Sequence, residues 1–250
     1  MKRRILLIFD LNGTLLHRLT HDAEWQSFRA LPLVVEQQLK NDLTVNGSKV
    51  ILRPHIRSLF EALNAAGPFD IAFWTSARPK NAFPMVSQVT KGLFSLDSLL
   101  ELGRKGYQLN QREMLLLWNE RDPVAVAALQ AQETAAKAPY TFLWTQSECD
   151  AIPNPATPYK PICRKNLDKV WEAFPGRFDP LNTIMIDDSP EKLTDHAENC
   201  LLVREFNVFS LPNFTQDATL LELQAYLLRM AASPVSDVRA YLKEHRGLNS

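Results

Sequence analysis

The feature that most constrains the fold is an apolar run over residues 5–9, "ILLIF", which ends abruptly in the acid Asp10. A continuous run of branched and aromatic side chains, without polar alternation, is typical of a strand covered on both faces, as in a parallel α/β sheet. Functional residues of such sheets collect at the carboxyl ends of the strands, so Asp10 stands where chemistry is expected. Gly13 predicts a tight turn after the strand, and Thr14 is expected to cap or shape that loop.

Four more strands are predicted along the chain, and two of them also end in polar side chains. "FDIAFWTSA" ends in the hydroxyls of Thr75 and Ser76, and "NTIMIDDSP" ends in the paired acids Asp187 and Asp188. The other two strands are "YTFLW" and the short "LLVREF". Three strand ends, counting that of the first strand, therefore carry polar groups.

Helical stretches alternate with these strands. They are "RPHIRSLFEALNAAG", which a glycine ends, "RPKNAFPMVSQVTKGLF", "RKNLDKVWEAF", and two segments after Asp217 that Pro234 separates. The alternation predicts an α/β fold with a central parallel sheet and helices on both faces.

Two parts of the chain depart from this alternation. "LTVNGSKVIL" places Asn-Gly between two β-prone runs, which predicts a small hairpin. Residues 95–140 give the least clear pattern of secondary structure. We treat residues 95–160, with the proline-rich "DAIPNPATPYKP", as an insertion in a single domain over residues 1–250. We expect residues 95–140 to serve packing and to form a lid.

Composition limits the class of protein. Basic and acidic residues number 28 each, so the basic excess typical of nucleic-acid binding is absent and no direct nucleic-acid partner is expected. Three cysteines without C-x-x-C spacing suit a reducing compartment and predict no zinc site. No apolar run approaches a membrane span, and the basic N-terminus leads into the first strand without a signal or transit peptide. We therefore expect a cytoplasmic or nuclear protein with no membrane partner.

The order of these motifs resembles the haloacid dehalogenase superfamily of phosphotransferases. More narrowly, it resembles the branch of small phosphatases of the RNA polymerase II C-terminal domain, with their ubiquitin-like-domain relatives. The resemblance rests on "FDLNGTLL", "RPHIRSLF", "AFWTSARPKNA", "KNLDKVW", "NTIMIDDSP" and "LLVREF…DATLLELQAYL", which together span nearly the whole chain. It implies a Rossmann-like haloacid dehalogenase fold and a Mg²⁺-dependent phosphatase site, while residues 95–140 match poorly.

The resemblance implies catalytic roles for several residues. Asp10 would attack phosphorus to form an aspartyl-phosphate, and it would also ligate Mg²⁺. Thr75 and Ser76 would bind phosphoryl oxygens. A lysine would neutralise charge on the transferring group, and Lys165 is favoured over Lys160 because "KNL" looks like the family's Lys-x-Leu signature. We expect Lys165 to open a helix, where the helix dipole would not favour a solvated lysine.

The paired acids would complete the metal site. By resemblance Asp188 is a Mg²⁺ ligand, and Asp187 holds the lysine and a metal-bound water. The backbone carbonyl of Asn12 would be a further ligand, and oxygen atoms are the ligands that Mg²⁺ prefers. A close carboxylate pair is costly unless a cation lies between the two acids, so a metal would also explain why "DD" is tolerated.

Asn12 departs from the family pattern. Active members carry an aspartate there, which protonates the leaving alkoxide and later deprotonates the attacking water. An amide cannot exchange a proton at neutral pH, and general acid–base catalysis contributes about a hundred- to ten-thousandfold. Three interpretations stay open: a natural pseudophosphatase, a slow or specialised phosphatase whose acid comes from elsewhere, and an engineered residue that traps a complex.

We predict a slow Mg²⁺-dependent phosphatase of serine or threonine phosphoproteins. One alternative is an inactive pseudophosphatase that binds a protein or peptide segment, as in mitochondrial translocase-subunit relatives. The other is a small-molecule phosphatase. "RPHIRSLF" and "WTSA" favour an open cleft, so a phosphorylated protein or peptide is the expected partner, while the sequence gives no indication of oligomeric state.

Overall fold

The computed structural model describes residues 3–37, 43–90, 140–155, 157 and 161–245. Most of the expected insertion over residues 95–160 lies outside the described residues, as does the candidate Lys160. The insertion and the single-domain boundary therefore stay predictions.

The described residues form ten strands and seven α-helices, which occur singly and in short runs along the chain. The strands are β1 Ile5–Phe9, β2 Leu16–Leu19, β3 Thr44–Val45, β4 Ser48–Leu52, β5 Phe69–Trp74, β6 Leu143–Trp144, β7 Asp150–Ile152, β8 Ile162–Arg164, β9 Thr183–Asp187 and β10 Cys200–Leu202. The helices are α1 Asp22–Arg29, α2 Pro32–Glu36, α3 Ile56–Ala66, α4 Pro79–Val89, α5 Asp168–Ala173, α6 Thr219–Ala232 and α7 Val238–Glu244.

A five-stranded parallel sheet forms the centre of the fold, as predicted. Its order is β10-β9-β1-β5-β6, and every side chain of β1 is buried because the strand lies in the middle of the sheet. Phe9 is in register with Phe73 of β5 and with Ile186 of β9. The carboxyl ends of the three strands therefore lie side by side, which brings the residues that follow them together.

Helices flank the sheet and close its core. In α3 the buried residues recur at helical spacing, namely Ile56, Leu59, Phe60 and Leu63, and Gly67 ends the helix with a positive φ of 87°. α3 also packs against α6. Among the described residues, no helix is long and apolar enough to cross a bilayer.

The predicted hairpin is confirmed and belongs to a second, smaller sheet. Asn46 and Gly47 connect β3 to β4 with positive φ angles of 49° and 82°, as a two-residue type I′ turn requires. β2 pairs with the other edge of β4, giving the antiparallel order β2-β4-β3. A second apolar cluster is formed by Leu19, Phe28, Val34, Ile51, Phe206, Val208 and Phe214. It buries parts of α1 and α2, two helices that the sequence reasoning did not predict.

The region around β7 and β8 differs from the sequence expectation. The segment predicted as a proline-rich loop begins with β7, and β8 ends at Arg164, the first residue of the predicted helix. The two strands pair antiparallel, with Ala151 opposite Cys163. That pairing holds the chain extended, so α5 begins only at Asp168 although the helical pattern starts earlier.

Candidate active site

Asp10 lies at the centre of the site because β1 ends beside β9. Its backbone N–H donates a hydrogen bond to the carbonyl of Ile186 at 2.9 Å, which extends the parallel pairing by one residue. The Asp10 side chain is buried. A buried carboxylate is costly without a partner, so its neighbours decide whether it can be ionised.

Lys165 is the partner that joins Asp10 to Asp187. Its Nζ lies 2.6 Å from Asp10 Oδ1 and 2.6 Å from Asp187 Oδ2, and all three side chains are buried. The expectation that Lys165 opens a helix is wrong. It lies between β8 and α5, and its backbone N–H donates to the carbonyl of Lys192 at 2.8 Å. Packing against the turn after β9 carries the ammonium into the sheet's carboxyl edge.

Asp188 faces the loop that follows β1. Thr14 Oγ1 donates to Asp188 Oδ1 at 3.0 Å, and Ser189 Oγ donates to Asp188 Oδ2 at 3.0 Å. Gly13, with φ of +90°, approaches so closely that a Cβ there would lie 2.6 Å from Asp188 Oδ2. The glycine is needed both for the turn, as predicted, and for the space that Asp188 occupies.

Thr75 and Ser76 follow β5 at the same edge of the sheet. Thr75 is buried, and its Oγ1 accepts a hydrogen bond from the backbone N–H of Ala77 at 3.2 Å. Ser76 is half-buried. In the part of the chain that the structure describes, no hydrogen bond joins either hydroxyl to the three acids, so their phosphate-binding role stays a prediction.

Asn12 is exposed in the loop after β1. Its Oδ1 accepts a hydrogen bond from the backbone N–H of Arg18 at 2.9 Å. This contact fixes the orientation of the amide, which has no proton to transfer at neutral pH.

The sequence reasoning missed a second lysine in the site. Lys192 Nζ lies 3.3 Å from Asp187 Oδ1 and 3.9 Å from Asp10 Oδ2. It ends the 3₁₀ turn Pro190–Lys192 that follows β9. Its position shortly after "DDSP" could have indicated a place in the site. A lysine in a short turn is, however, usually predicted to lie on the surface.

Arg53 and Asp217 form a buried ion pair that the sequence reasoning also missed. Arg53 Nε lies 3.0 Å from Asp217 Oδ1, and Arg53 donates from another guanidinium nitrogen to the carbonyl of Thr14 at 2.9 Å. The backbone N–H of Arg53 donates a hydrogen bond to the carbonyl of Leu15 at 3.0 Å. Arg53 therefore ties the loop after β1 to the start of α6. Both residues lie in motifs that carried the family resemblance.

The charges at the site oppose one another. Burial raises the pKa of Asp10 to about 6, against the lowering effect of Lys165 and Lys192. Burial also raises the pKa of Asp188. For Asp187, burial acts in the same direction, but the charges of Lys165 and Lys192 outweigh it and hold the pKa below its ordinary value.

The three acids form a cluster with the chemistry of a divalent-cation site. Asp10, Asp187 and Asp188 each offer a carboxylate oxygen, and these atoms lie within 4.8 Å of one another. Two lysines face three carboxylates, which leaves an excess of negative charge. Hard oxygen ligands with excess negative charge fit Mg²⁺.

Comparison with known families decides where this site belongs. The sequence model of the family described as NLI interacting factor-like phosphatase matches residues 5–100 and 126–239. The chain belongs to this family. The expected place in the haloacid dehalogenase superfamily, in the branch of C-terminal-domain phosphatases, is thereby confirmed, whereas the roles of individual residues stay predictions.

Solved structures resemble the chain at low sequence identity. One is the fission yeast RNA polymerase II C-terminal-domain phosphatase Fcp1 (R271A) bound to beryllium fluoride, at 12% identity and a TM-score of 0.45, over 99% of this chain and 54% of that chain. Another structure of Fcp1 has 12% identity and a TM-score of 0.43, over 98% and 55%. A haloacid dehalogenase-like hydrolase from Streptococcus pneumoniae has 14% identity and a TM-score of 0.37, over 91% and 100%.

The chain of this NLI interacting factor-like protein spans about half the length of the matched Fcp1 chains. No curated protein matches its sequence.

Proposed function

We propose that the protein is a Mg²⁺-dependent phosphatase of serine or threonine phosphoproteins that forms an aspartyl-phosphate on Asp10 and turns over slowly. The observation that carries the proposal is Lys165, which bridges Asp10 and Asp187 at 2.6 Å each, beside Asp188. A chain of a phosphatase family with this buried arrangement holds a nucleophile, a cation for the phosphoryl group and further acids in one place.

The residues present fit Mg²⁺. Asp10 and Asp188 would hold it, with Asp187 beside them, because their oxygens form the only three-acid cluster found among the described residues. Bound Mg²⁺ would offset the repulsion between a carboxylate nucleophile and an anionic phosphate ester.

Asp10 supplies the nucleophile in the first step. One carboxylate oxygen bonds to phosphorus while the ester P–O bond breaks, and the ester oxygen leaves with the electron pair. Lys165 already contacts Asp10 Oδ1 at 2.6 Å. Its ammonium would therefore lie next to the phosphoryl group that Asp10 attacks, where negative charge develops on the oxygens. Thr75 would orient the phosphoryl group by its hydroxyl.

The second step is the one that Asn12 impairs most. A water oxygen must bond to phosphorus while the bond to the Asp10 carboxylate breaks, and that water must lose a proton. The Asn12 amide accepts a hydrogen bond from Arg18 and can donate one, but it takes up no proton at neutral pH. The aspartyl-phosphate is therefore expected to accumulate.

A pseudophosphatase that binds a phosphopeptide is the second candidate, and Asn12 is the observation that favours it. The acid cluster and Lys165 are retained around a position that cannot perform general acid–base catalysis. A site of this kind keeps anion and metal binding after turnover is lost.

The experiment uses a phosphoserine peptide and a sugar phosphate, each with Mg²⁺ and with a chelator. Mg²⁺-dependent peptide binding with slow phosphate release that Asp10→Asn abolishes is the expected result. Peptide binding without release would favour the pseudophosphatase. Turnover of the sugar phosphate without peptide binding would replace the proposal with a small-molecule phosphatase.

A further inference from the structure

Lys192 and Lys165 divide the oxygens of two carboxylates between them. Lys165 Nζ contacts Asp10 Oδ1 and Asp187 Oδ2, whereas Lys192 Nζ lies 3.3 Å from Asp187 Oδ1 and 3.9 Å from Asp10 Oδ2. Each of the four oxygens of Asp10 and Asp187 thus has an ammonium group beside it. The two lysines belong to separate elements but neutralise the same pair of acids.

Backbone hydrogen bonds fix the position of Lys192. Its carbonyl accepts a hydrogen bond from the Lys165 N–H at 2.8 Å, and its own N–H donates to the carbonyl of Ser189 at 3.2 Å. Its side chain is only 14% exposed. An ammonium with so little exposure is desolvated and depends on the neighbouring carboxylates to compensate its charge.

Asp10 Oδ2 is the oxygen for which several partners would compete. Lys165 holds the other oxygen of Asp10 at 2.6 Å, while Lys192 lies beyond hydrogen-bond distance of Oδ2, at 3.9 Å. A divalent cation at the acid cluster would be repelled by an ammonium group beside the same carboxylates. Lys192 therefore lies where its charge opposes the binding of a divalent cation to Asp10 Oδ2.

We propose that Lys192 is a built-in counter-cation of the acid cluster, which competes with Mg²⁺ for Asp10 and Asp187 and serves as a second phosphate-binding lysine once the metal is bound. The inference rests on the proposed function, because it takes the acid cluster to be the Mg²⁺ site. The four-carbon stem lets the ammonium turn from the carboxylates to an anion that enters the site. Phosphate binding and Mg²⁺ binding then strengthen each other through Lys192, since each relieves the charge conflict that the other creates.

The test measures Mg²⁺ affinity by isothermal titration calorimetry, with and without inorganic phosphate. The neutral variants are Lys192→Met and Lys192→Gln. The control is Lys169→Met, which removes the same charge from a lysine whose Nζ lies 2.6 Å from Asp150, outside the acid cluster. Thermal unfolding of each variant reports whether it is folded, and two different neutral side chains guard against one that does not fold.

Both neutral variants are expected to bind Mg²⁺ about tenfold more tightly than the wild type without phosphate, which is well below the full Coulomb interaction at this distance in a low dielectric. Phosphate should enhance Mg²⁺ binding less in these variants than in the wild type. The control variant should keep the wild-type affinity to within about twofold, since its charge lies in a partly exposed ion pair outside the acid cluster.

Unchanged or weaker Mg²⁺ binding in folded Lys192 variants would overturn the inference and leave the proposed function standing. If neither the wild type nor these variants bind Mg²⁺, both the inference and the metal-dependent function fail. The Lys192 variants could bind Mg²⁺ more tightly, as expected, while Asp10→Asn leaves phosphate release unchanged. In that case the inference stands and the proposed phosphatase fails.

Discussion

The side-chain oxygen of Asn12 accepts a hydrogen bond from the backbone N–H of Arg18 at 2.9 Å. An aspartate in the same rotamer would accept the same bond, because the two side chains have the same shape and each offers an acceptor oxygen there. The loop after β1 is thus arranged to hold a carboxylate at this position, and the chain places an amide in it. The amide and a carboxylate thus differ here in their ability to transfer a proton, not in their hydrogen bond with Arg18.

Replacing Asn12 with aspartate should raise turnover. The carboxyl group can protonate the leaving oxygen and deprotonate water, so kcat on a phosphoserine peptide should rise by about a hundred- to ten-thousandfold. Steady-state phosphate release with Mg²⁺ measures the change. The gain should be smaller for the nitrophenolate release step of para-nitrophenyl phosphate, whose leaving group hardly needs an acid.

The matched control for this prediction is Asn207→Asp. Asn207 Oδ1 also accepts a backbone N–H, that of Phe209, at 3.0 Å, so the control adds the same charge to a similar turn. Equal rates for both variants and the wild type would show that Asn12 is not what limits turnover.

Gly13→Ala should damage the metal site. The new Cβ would lie 2.6 Å from Asp188 Oδ2 at a φ of +90°, so the Asp188 carboxylate or the loop must move. Gly47→Ala is the control, since Gly47 has a φ of +82° and nothing within 4 Å of an added Cβ. Both variants should lose about 1–2 kcal/mol for the left-handed backbone, but only Gly13→Ala should also lose Mg²⁺ affinity by calorimetry. Equal Mg²⁺ affinities would mean that Asp188 needs no such clearance.

Arg53→Met should strongly destabilise the fold. It leaves Asp217 buried with the exposed Arg204 as its one remaining cationic partner among the described residues, and it removes a donor from the carbonyl of Thr14. Breaking a buried ion pair costs about 3–5 kcal/mol of unfolding free energy, which urea denaturation measures. Arg57→Met removes an exposed pair with Glu61 and should cost about 0.5 kcal/mol or less. Similar losses in both variants would contradict a structural role for the buried pair.

The Arg53–Asp217 pair should also make stability depend on pH. Burial acts to raise the pKa of Asp217, but hydrogen bonding and charge from Arg53 outweigh it and hold the pKa below its usual range. A lowered pKa means that the ionised carboxylate stabilises the fold above the ordinary value of about 4 and that this contribution is lost as pH falls below it. The stability difference between the wild type and Asp217→Asn should therefore be largest above about pH 5 and shrink towards pH 3. A difference independent of pH would contradict it.

The sequence predicted the strand ends that carry the acids, but not the order of the strands. An apolar run before each acid predicted that Asp10 and Asp187 lie at the carboxyl ends of parallel strands, and the structure shows that these two strands are neighbours. The family resemblance added Lys165, which the structure places between them. The hairpin at Asn46 and Gly47 was likewise predicted correctly, because the two residues of the turn determine its conformation.

The parts that escaped prediction depend on long-range contacts. Arg53 and Asp217 are distant in sequence and meet only when α3 and α6 pack, which no local pattern reveals in a single sequence. Lys192 lies in a turn whose composition is that of a surface loop, and its burial comes from β8 passing next to it. β7 was predicted to be part of a proline-rich loop, and Arg164 of β8 was predicted to begin a helix, because local propensity does not reveal the pairing of these two strands.

The central claim is that Asp10 is a nucleophile whose phosphoenzyme breaks down slowly. Pre-steady-state release of nitrophenolate from para-nitrophenyl phosphate with Mg²⁺ tests it most directly, with Asp10→Asn measured in parallel. We predict a burst of about one nitrophenolate per chain followed by a slow steady state, both abolished in Asp10→Asn. Nitrophenolate release that Asp10→Asn leaves unchanged, or no release by the wild type at all, would contradict the account.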